Sequence, residues 1–231
     1  MTNSSRTAVC LLVISMGVFL AISSSLMAQK KVSELTLVYE FVISNGNAAA
    51  APSPGGPPEG ATNTVYIKGF KSRSEITSSL FSSTTLLDAK TNTAVILKEV
   101  SGQKLLIRLT PENWHEKNMR FEGITFKNTN ETKEIAGYKC QQAVARRNDG
   151  YMLTVFYTRE LIPEDREYDP QFRSLDGLPL EYEITNGSLK IKYTVTKLNL
   201  NPVPASKFDI PKGGYREMTY EESKKANVSG M

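Results

Sequence analysis

Residues 138–158, YKCQQAVARRNDGYMLTVFYT, carry the strongest folding signal in the chain. The segment Tyr151–Thr158 is rich in aromatic and β-branched residues, and Tyr138–Arg146 precedes it as a second strand candidate. Asn148-Asp-Gly150 stands between them. An Asp-Gly pair favours a tight hairpin turn, because both positions of such a turn need a left-handed backbone conformation. The stretch therefore predicts a β-hairpin.

Short strand candidates separated by polar turns recur along the rest of the chain. They lie at Leu35–Ile43, Val65–Gly69, Lys71–Ile76, Thr84–Asp88, Thr93–Lys98, Lys104–Leu109, Glu122–Lys127, Leu180–Thr185 and Ser188–Leu200, with a last extended segment at Lys207–Gly214. Tight turns between neighbours favour antiparallel pairing over β-α-β units. About nine to eleven strands must curl or close to avoid a long exposed edge, so we expect a curved sheet.

Helix signals are scarce. Thr110 is suited to be the N-cap and Pro111 the first turn of a short helix over Pro111–Asn118. The prolines and acidic residues of Ile162–Pro170 predict the start of a second short helix. The fold class predicted is mainly β, with one or two short helices.

The N-terminus has the pattern of a secretory signal peptide over residues 1–28. Arg6 precedes an uncharged apolar run from Ala8 to Ile22, and a serine-rich stretch leads to Ala28. An uncleaved membrane anchor is the alternative, although the run is shorter than the ~20 apolar residues that a spanning helix needs. We therefore expect an exported protein, periplasmic or secreted, with no stable transmembrane span after cleavage.

Residues 29–220 are predicted to form a single β-rich domain. Residues 44–62 are expected to be a disordered insertion, because their Ala-, Pro- and Gly-rich sequence offers little to bury. The charged residues of 221–231 predict a flexible C-terminal tail.

The polar composition argues against several classes of function. A formal net charge of +4, spread over short clusters, argues against nucleic-acid binding. Beyond the signal peptide the chain has one cysteine, Cys140, and one histidine, His115, so we expect no intramolecular disulfide, no metal site and no cofactor. Cys140 lies in a strand candidate and is interpreted as a core residue, with Cys140–His115 catalysis as the alternative.

Three motifs in order carry a resemblance to a known family. They are TKEIAGYKCQQA at 132–143, VFYTRELIP at 155–163 and LDGLPLEYEI at 175–184, and VPASKFDIP at 203–211 closes the series. This order resembles secreted β-rich domains of unknown function from Bacteroidota-type bacteria, close to the GLPGLI family. Gly177-Leu-Pro-Leu180 lacks the second glycine of that motif, so the chain looks more like a sister group.

The resemblance implies an architecture similar to the lipoprotein carriers of the LolA/LolB type. Those are open half-barrels made of a curved antiparallel sheet, with helices around a hydrophobic cavity for acyl chains. It also implies a place in the envelope of a Gram-negative bacterium. The fold class expected is thus a LolA-like open half-barrel.

Apolar side chains are the remaining candidates for a site. A half-barrel of this size would leave a cleft, and apolar clefts bind small hydrophobic ligands. The residues predicted to line it are Phe70, Leu87, Leu105, Ile107, Trp114, Met119, Phe121, Met152 and Phe156. The alternative for each residue is simple packing in the core.

The function predicted is therefore an exported, non-enzymatic binding protein whose apolar cleft holds a lipid or the acyl chain of a lipoprotein. The alternative is an envelope interaction or scaffold protein with a filled core and no small-molecule ligand. Its loops, Ser44–Thr62 and Leu161–Leu175, would then contact a partner protein.

Overall fold

The computed structural model of the protein describes residues 29–45, 61–78, 81–100 and 102–229. The predicted signal peptide and most of the predicted insertion over residues 44–62 lie outside these ranges. At the borders of the insertion, Ser44 and Thr62 belong to strands.

The described residues form fourteen strands and two α-helices, numbered here in chain order. The strands are β1 (Lys30–Val32), β2 (Glu34–Asn45), β3 (Thr62–Lys68), β4 (Lys71–Thr77), β5 (Phe81–Asp88), β6 (Thr93–Val100), β7 (Gln103–Leu109), β8 (Lys127–Ile135), β9 (Tyr138–Arg146), β10 (Met152–Thr158), β11 (Leu161–Pro163), β12 (Leu178–Asn186), β13 (Leu189–Asn199) and β14 (Arg216–Met218). The helices are α1 (Pro111–Asn118) and α2 (Tyr220–Ser229). Three short 3-10 turns lie at Met119–Phe121, Pro170–Phe172 and Ala205–Phe208.

Twelve strands form one open sheet in the order β14-β7-β6-β5-β4-β3-β2-β13-β12-β10-β9-β8. The two ends of this order do not pair, so the sheet is an open, curved half-barrel, as predicted. The main correction to the expected antiparallel pattern is at the short strands. β14 pairs with β7 in parallel, and β1 pairs with β11 in parallel as a separate two-stranded sheet.

The local signals that the sequence carried most clearly are confirmed. β9 and β10 form the predicted hairpin, and Gly150 in its turn has a φ of +88°. α1 spans the predicted residues and has a capping box, in which the Asn113 amide donates to Thr110 Oγ1 and the Thr110 amide to Asn113 Oδ1, both over 3.3 Å.

Four segments differ from the prediction. Glu122–Lys127 is not a strand, because Gly123 turns the chain with a φ of +68° and β8 begins only at Lys127. Ile162–Pro170 does not begin a helix, since its first residues extend β11 and the 3-10 turn starts at Pro170. Lys207–Gly214 contains the end of a 3-10 turn rather than a strand. The predicted tail contains most of α2, in which Thr219 Oγ1 accepts a hydrogen bond from the Glu222 amide.

One face of the large sheet, called the inner face below, carries most of the core. The register places Leu35, Ile67, Ser72, Leu87, Ala94 and Leu109 opposite one another across β2 to β7. Inner residues of β2, β3, β9, β10, β12 and β13 form the main apolar cluster, into which Ile124, Phe172 and Leu175 of two connecting segments also pack. These two segments therefore pack against the inner face of the sheet.

A second apolar cluster on the inner face lies at the other end of the sheet. Leu87, Ile107 and Leu109 pack there beneath Trp114 of α1, with Met218 and Tyr220 beside them. On the opposite face, Leu86, Val95, Leu97 and Leu106 pack with Tyr215, so β5 to β7 are covered on both sides. None of the helices among the described residues has the length and apolar character needed to cross a membrane.

Candidate functional site

A cavity of about 520 Å³ opens on the inner face and is called the inner-face cavity below. Residues from β3 to β5 lie on one side of it and residues from β12 and β13 on the other. The turn at Met119–Phe121, the hairpin turn between β9 and β10, and the segment at Asp169–Gln171 complete its wall. Its lining is Asn63, Ser74, Ile76, Thr85, Arg120, Phe121, Arg147, Asp149, Tyr151, Asp169, Gln171, Tyr182, Ile184, Asn186, Leu189 and Tyr193.

Stacked tyrosines form part of this lining. Tyr182 of β12 and Tyr193 of β13 are directly opposite in the sheet register, and their ring centroids lie 4.5 Å apart with planes 16° from parallel. Phe41, opposite Tyr193 on β2, extends the row at 4.9 Å. On the other side of Tyr182, the Phe172 ring meets it edge-on at 4.9 Å. Cross-strand pairing thus places a row of aromatic rings inside the half-barrel.

A half-buried carboxyl group lies in the same wall. Asp169 precedes the 3-10 turn at Pro170–Phe172, and its carboxylate accepts hydrogen bonds from the Gln171 amide at 3.1 Å and from Gln171 Nε2 at 2.8 Å. Burial raises the pKa of the Asp169 carboxyl to about 6, although the Gln171 hydrogen bonds and the positive charge of Arg120 act in the opposite direction. Asp169 therefore changes its charge in mildly acidic solution.

Two arginines lie against aromatic rings of the cavity wall. The guanidinium of Arg120 lies 4.7 Å from the Phe121 ring centroid, and that of Arg147 lies 5.2 Å from the Tyr151 ring centroid. Arg147 also forms an ion pair with Asp149. Arg120 is exposed and has no carboxylate within 4.0 Å among the described residues. It is thus the cation at this cavity that can accept an anion.

Two tyrosine hydroxyls near Asp169 are buried without a hydrogen-bond partner among the described residues, those of Tyr151 and Tyr168. The Tyr151 ring lines the cavity and meets Phe121 edge-on at 6.3 Å. Burial raises the pKa of Tyr151 to about 12. Buried hydroxyls are nearly always hydrogen-bonded in proteins, so we expect a water molecule or a ligand group to complete the hydrogen bonding of these two.

The nine residues predicted to line an apolar cleft do not come together at one place. Phe121 lines the inner-face cavity. Leu87, Ile107 and Trp114 are buried together in the cluster beneath α1. Leu105, on β7, lies on the same face as Ile107 and is half-buried.

The other four predicted residues lie elsewhere. Phe70 and Met119 are exposed, and Lys90 lies 4.9 Å from the Phe70 ring centroid. Met152 and Phe156 are half-buried and point away from the inner face, because Leu153 and Val155 occupy the inner positions of β10. Lys133 lies 3.9 Å from the Phe156 ring centroid on that outer side.

Sequence reasoning missed the aromatic row and the half-buried Asp169. The sequence signal for the aromatic row was the alternation of apolar residues in three strands. Residues two positions apart share a face of a sheet, and three such pairs are Tyr39 and Phe41, Tyr182 and Ile184, and Tyr193 and Val195. No sequence pattern distinguishes Asp169 from the other acids around it, because its burial depends on how residues 159–177 enter the half-barrel. The cavity lining is consequently more polar than predicted.

Cys140 is fully buried in the main apolar cluster, as expected for a core residue. Burial raises the pKa of its thiol to about 11, so the thiol stays protonated at neutral pH. His115 is exposed, and its Nδ1 lies 3.1 Å from Glu122 Oε1. In the described part of the chain, no group of three or more His, Cys, Asp or Glu side chains could hold a metal ion.

A second cavity, of about 450 Å³, lies where β5 to β7 meet the C-terminal segment. Leu86, Val95, Phe208 and Ile210 give it a mostly apolar lining, and Lys71 and Arg108 border it. It offers an alternative place for an apolar ligand, but among the described residues it has no buried ionisable or unpartnered polar group to orient one.

The fold is similar to that of part of a larger protein. No family model and no curated protein sequence matches the chain, so the resemblance to the GLPGLI family gains no support there. A structure of PNGF-II matches 86% of this chain and 34% of its own length, with a TM-score of 0.53 and 14% identity. The chain thus spans about a third of PNGF-II, and the likeness concerns the fold alone.

Other solved structures are more distant. An uncharacterised conserved protein from Thermus thermophilus matches 81% of this chain and 90% of its own length, with a TM-score of 0.47 and 8% identity. MucB in the MucA/MucB complex of Pseudomonas aeruginosa matches 77% of this chain and 56% of its own length, with a TM-score of 0.38 and 12% identity. These likenesses are too weak to bear on function.

Proposed function

We propose that this protein is an exported, non-enzymatic binding protein that holds a small amphiphilic ligand in the inner-face cavity. The observation that carries the proposal is the lining of that cavity, in which the stacked rings of Tyr182 and Tyr193 lie in the same wall as Asp169 and beside the exposed Arg120. Small-molecule sites commonly combine an apolar wall with a few polar groups that fix orientation, within about 300–1,000 Å³.

Lipids and acylated proteins are the ligands that the sequence resemblance to GLPGLI-like domains implies, and both are amphiphiles. The mixed lining changes the earlier expectation of a purely apolar cleft. An apolar body would lie against the tyrosines, Ile184 and Leu189, and a polar head would face Arg120.

The scaffold alternative is less well supported. In it, the loop Leu161–Leu175 would contact a partner protein. Leu161, Phe172 and Leu175 of that segment are buried in the core, which leaves few of its apolar residues for a partner. The proposal of export rests on the sequence pattern of residues 1–28. The protonated, buried thiol of Cys140 argues against thiol catalysis.

The test begins with the mature domain, residues 29–231, purified gently from a bacterial periplasm and extracted with organic solvent for mass spectrometry. A second sample, kept in its native state, is titrated with a fluorescent fatty acid. A bound lipid or a saturable probe supports the proposal. A protein that carries no amphiphile and ignores the probe contradicts it.

Two variants locate the ligand. Leu189 is half-buried in the cavity lining, so the larger side chain of Leu189→Trp fills part of the cavity. We expect this variant to bind the probe at least about tenfold more weakly. Val42→Trp adds the same ring at an exposed position on the neighbouring strand β2 and is the matched control. Weakening by Phe208→Ala but not by Leu189→Trp would assign the ligand to the second cavity instead.

A further inference from the structure

The charges around the inner-face cavity depend on one proton. Among its lining residues, Arg147 and Asp149 pair with each other, which leaves Arg120 and Asp169. With Asp169 ionised, these four groups sum to zero. With Asp169 protonated, the positive charge of Arg120 is no longer balanced.

Few positive charges lie near the Asp169 carboxylate. Its carboxylate accepts hydrogen bonds from Gln171 and has no cationic side chain within 4.0 Å among the described residues. The groups that interact with it electrostatically are Arg120 from the turn after α1 and five tyrosines from β2, β12, β13, the start of β10 and its own segment: Tyr39, Tyr151, Tyr168, Tyr182 and Tyr193.

The five phenols stay neutral through the physiological range, because burial raises the pKa of each one. Asp169 is therefore the cavity group that titrates near neutrality, with a carboxyl pKa of about 6. An ionised carboxylate repels a bound anion, whereas a carboxylic acid can donate a hydrogen bond to it.

We propose that proton binding at Asp169 converts the inner-face cavity into a site for amphiphiles with an anionic head, which Arg120 then holds more tightly in mildly acidic than in neutral solution. This inference rests on the proposed binding function. It adds the class of head group that is bound and the dependence of binding on pH. Because such coupling is reciprocal, a bound anionic ligand must also favour the protonated form of Asp169.

Two fluorescent probes with the same aromatic body test the proposal. Anilinonaphthalene sulfonate stays anionic and N-phenyl-1-naphthylamine stays neutral between about pH 5 and pH 8, so neither adds a titration of its own. Their dissociation constants are measured over this range with the mature domain, with Asp169→Asn and with Asp176→Asn. Asp176 is an exposed acid near the same segment that pairs with Arg166 at 3.3 Å, which makes it the matched control.

We expect the sulfonate to bind wild type about tenfold more tightly at acidic than at neutral pH, as removal of one nearby charge predicts. Asp169→Asn should bind it tightly at every pH, and Asp176→Asn should follow wild type. The dissociation constant of the neutral probe should change by less than about threefold over the same pH range. Three results overturn the inference. In the first, the affinity for the sulfonate still depends on pH in Asp169→Asn, and in the second it does not depend on pH in wild type. In the third, the neutral probe shows the same pH dependence as the sulfonate.

Failure of this inference is separable from failure of the binding function. If neither probe binds at any pH, the proposed function fails. If both bind without pH dependence, only the role of Asp169 fails. Should Asp169→Asn not fold, carboxyl-carbon NMR of wild type replaces it. The Asp169 signal should then titrate near pH 6, and its midpoint should rise when the sulfonate is bound; an unmoved midpoint overturns the inference.

Discussion

Tyr182 and Tyr193 stack 4.5 Å apart, ring centroid to ring centroid, on adjacent strands inside the half-barrel. Their contact follows from the register of β12 and β13, which places the two residues directly opposite each other. The pair links core packing to the candidate site, because the same rings that hold two strands together line the inner-face cavity.

The stacked pair should show measurable coupling. We expect Tyr182→Leu and Tyr193→Leu to destabilise the fold individually, and the double variant to recover about 1 kcal/mol relative to their sum, as aromatic pairs typically do. Urea unfolding of the four proteins measures this coupling. Strict additivity would mean that stacking adds nothing beyond the area that each ring buries.

Gly177 should tolerate no side chain. Its φ is +157°, and an added Cβ would lie 2.2 Å from the Thr158 carbonyl oxygen. We expect Gly177→Ala to cost about 3 kcal/mol or more of the free energy of unfolding, since the backbone of Thr158 cannot move aside cheaply.

The control for Gly177→Ala is Gly187→Ala in the β12–β13 turn. Gly187 also has a positive φ, of +60°, but nothing lies within 4 Å of its added Cβ. Gly187→Ala should lower the free energy of unfolding by only about 1 kcal/mol. Equal costs at the two positions, measured by denaturant unfolding, would disprove the predicted clash.

Asp169 should make the protein less stable as the pH rises, opposite to the effect of a salt-bridged acid. Its folded-state pKa of about 6 lies above the usual 3.8, so the folded state binds this proton more tightly. Asp169 contributes most to the free energy of unfolding below the usual pKa. This contribution falls as the pH rises from the usual pKa to the folded-state pKa. The stability of Asp169→Asn relative to wild type should therefore improve by about 3 kcal/mol as the pH rises from below the usual pKa to above the folded-state pKa.

Chemical unfolding of Asp169→Asn and wild type at several pH values measures that difference. Comparing the two proteins cancels acids that act in the other direction, such as Glu181, whose pKa is lowered because hydrogen bonds from Lys133 and Lys192 outweigh its burial. A stability difference between the two proteins that stays constant with pH would show that folding does not raise the pKa of Asp169.

Cys140 should be chemically inert in the folded protein. Its side chain is fully buried and its thiol is protonated at neutral pH, so a thiol reagent such as dithionitrobenzoate should react only after unfolding in urea. Rapid reaction of the native protein would contradict this burial and revive the catalytic alternative for Cys140.

Local sequence signals predicted much of the fold. The Asn148-Asp-Gly150 turn, the Thr110 N-cap and the strand alternation around them act over a few residues, and the structure has each of them where expected. Pro111–Asn118 matches α1 residue for residue. The parallel pairs β1–β11 and β14–β7 were missed, because they join segments far apart in the chain and carry no turn signal.

The candidate site was less predictable than the fold. Hydrophobicity alone selected residues such as Met152 and Phe156, although the inner positions on β10 belong to Leu153 and Val155. Asp169 could not be identified, because its burial is a consequence of the connecting segment that fills the half-barrel. Knowledge of which face is inner would have been needed to select the tyrosines.

The most direct measurement is the NMR detection of contacts between bound N-phenyl-1-naphthylamine and side-chain protons of the mature domain. The proposed function predicts nuclear Overhauser contacts from the probe to the rings of Tyr151, Tyr182 and Tyr193, which line the inner-face cavity. Contacts to Phe208 and Ile210 instead, or no contacts at saturating probe, would contradict an amphiphile-binding site inside the half-barrel.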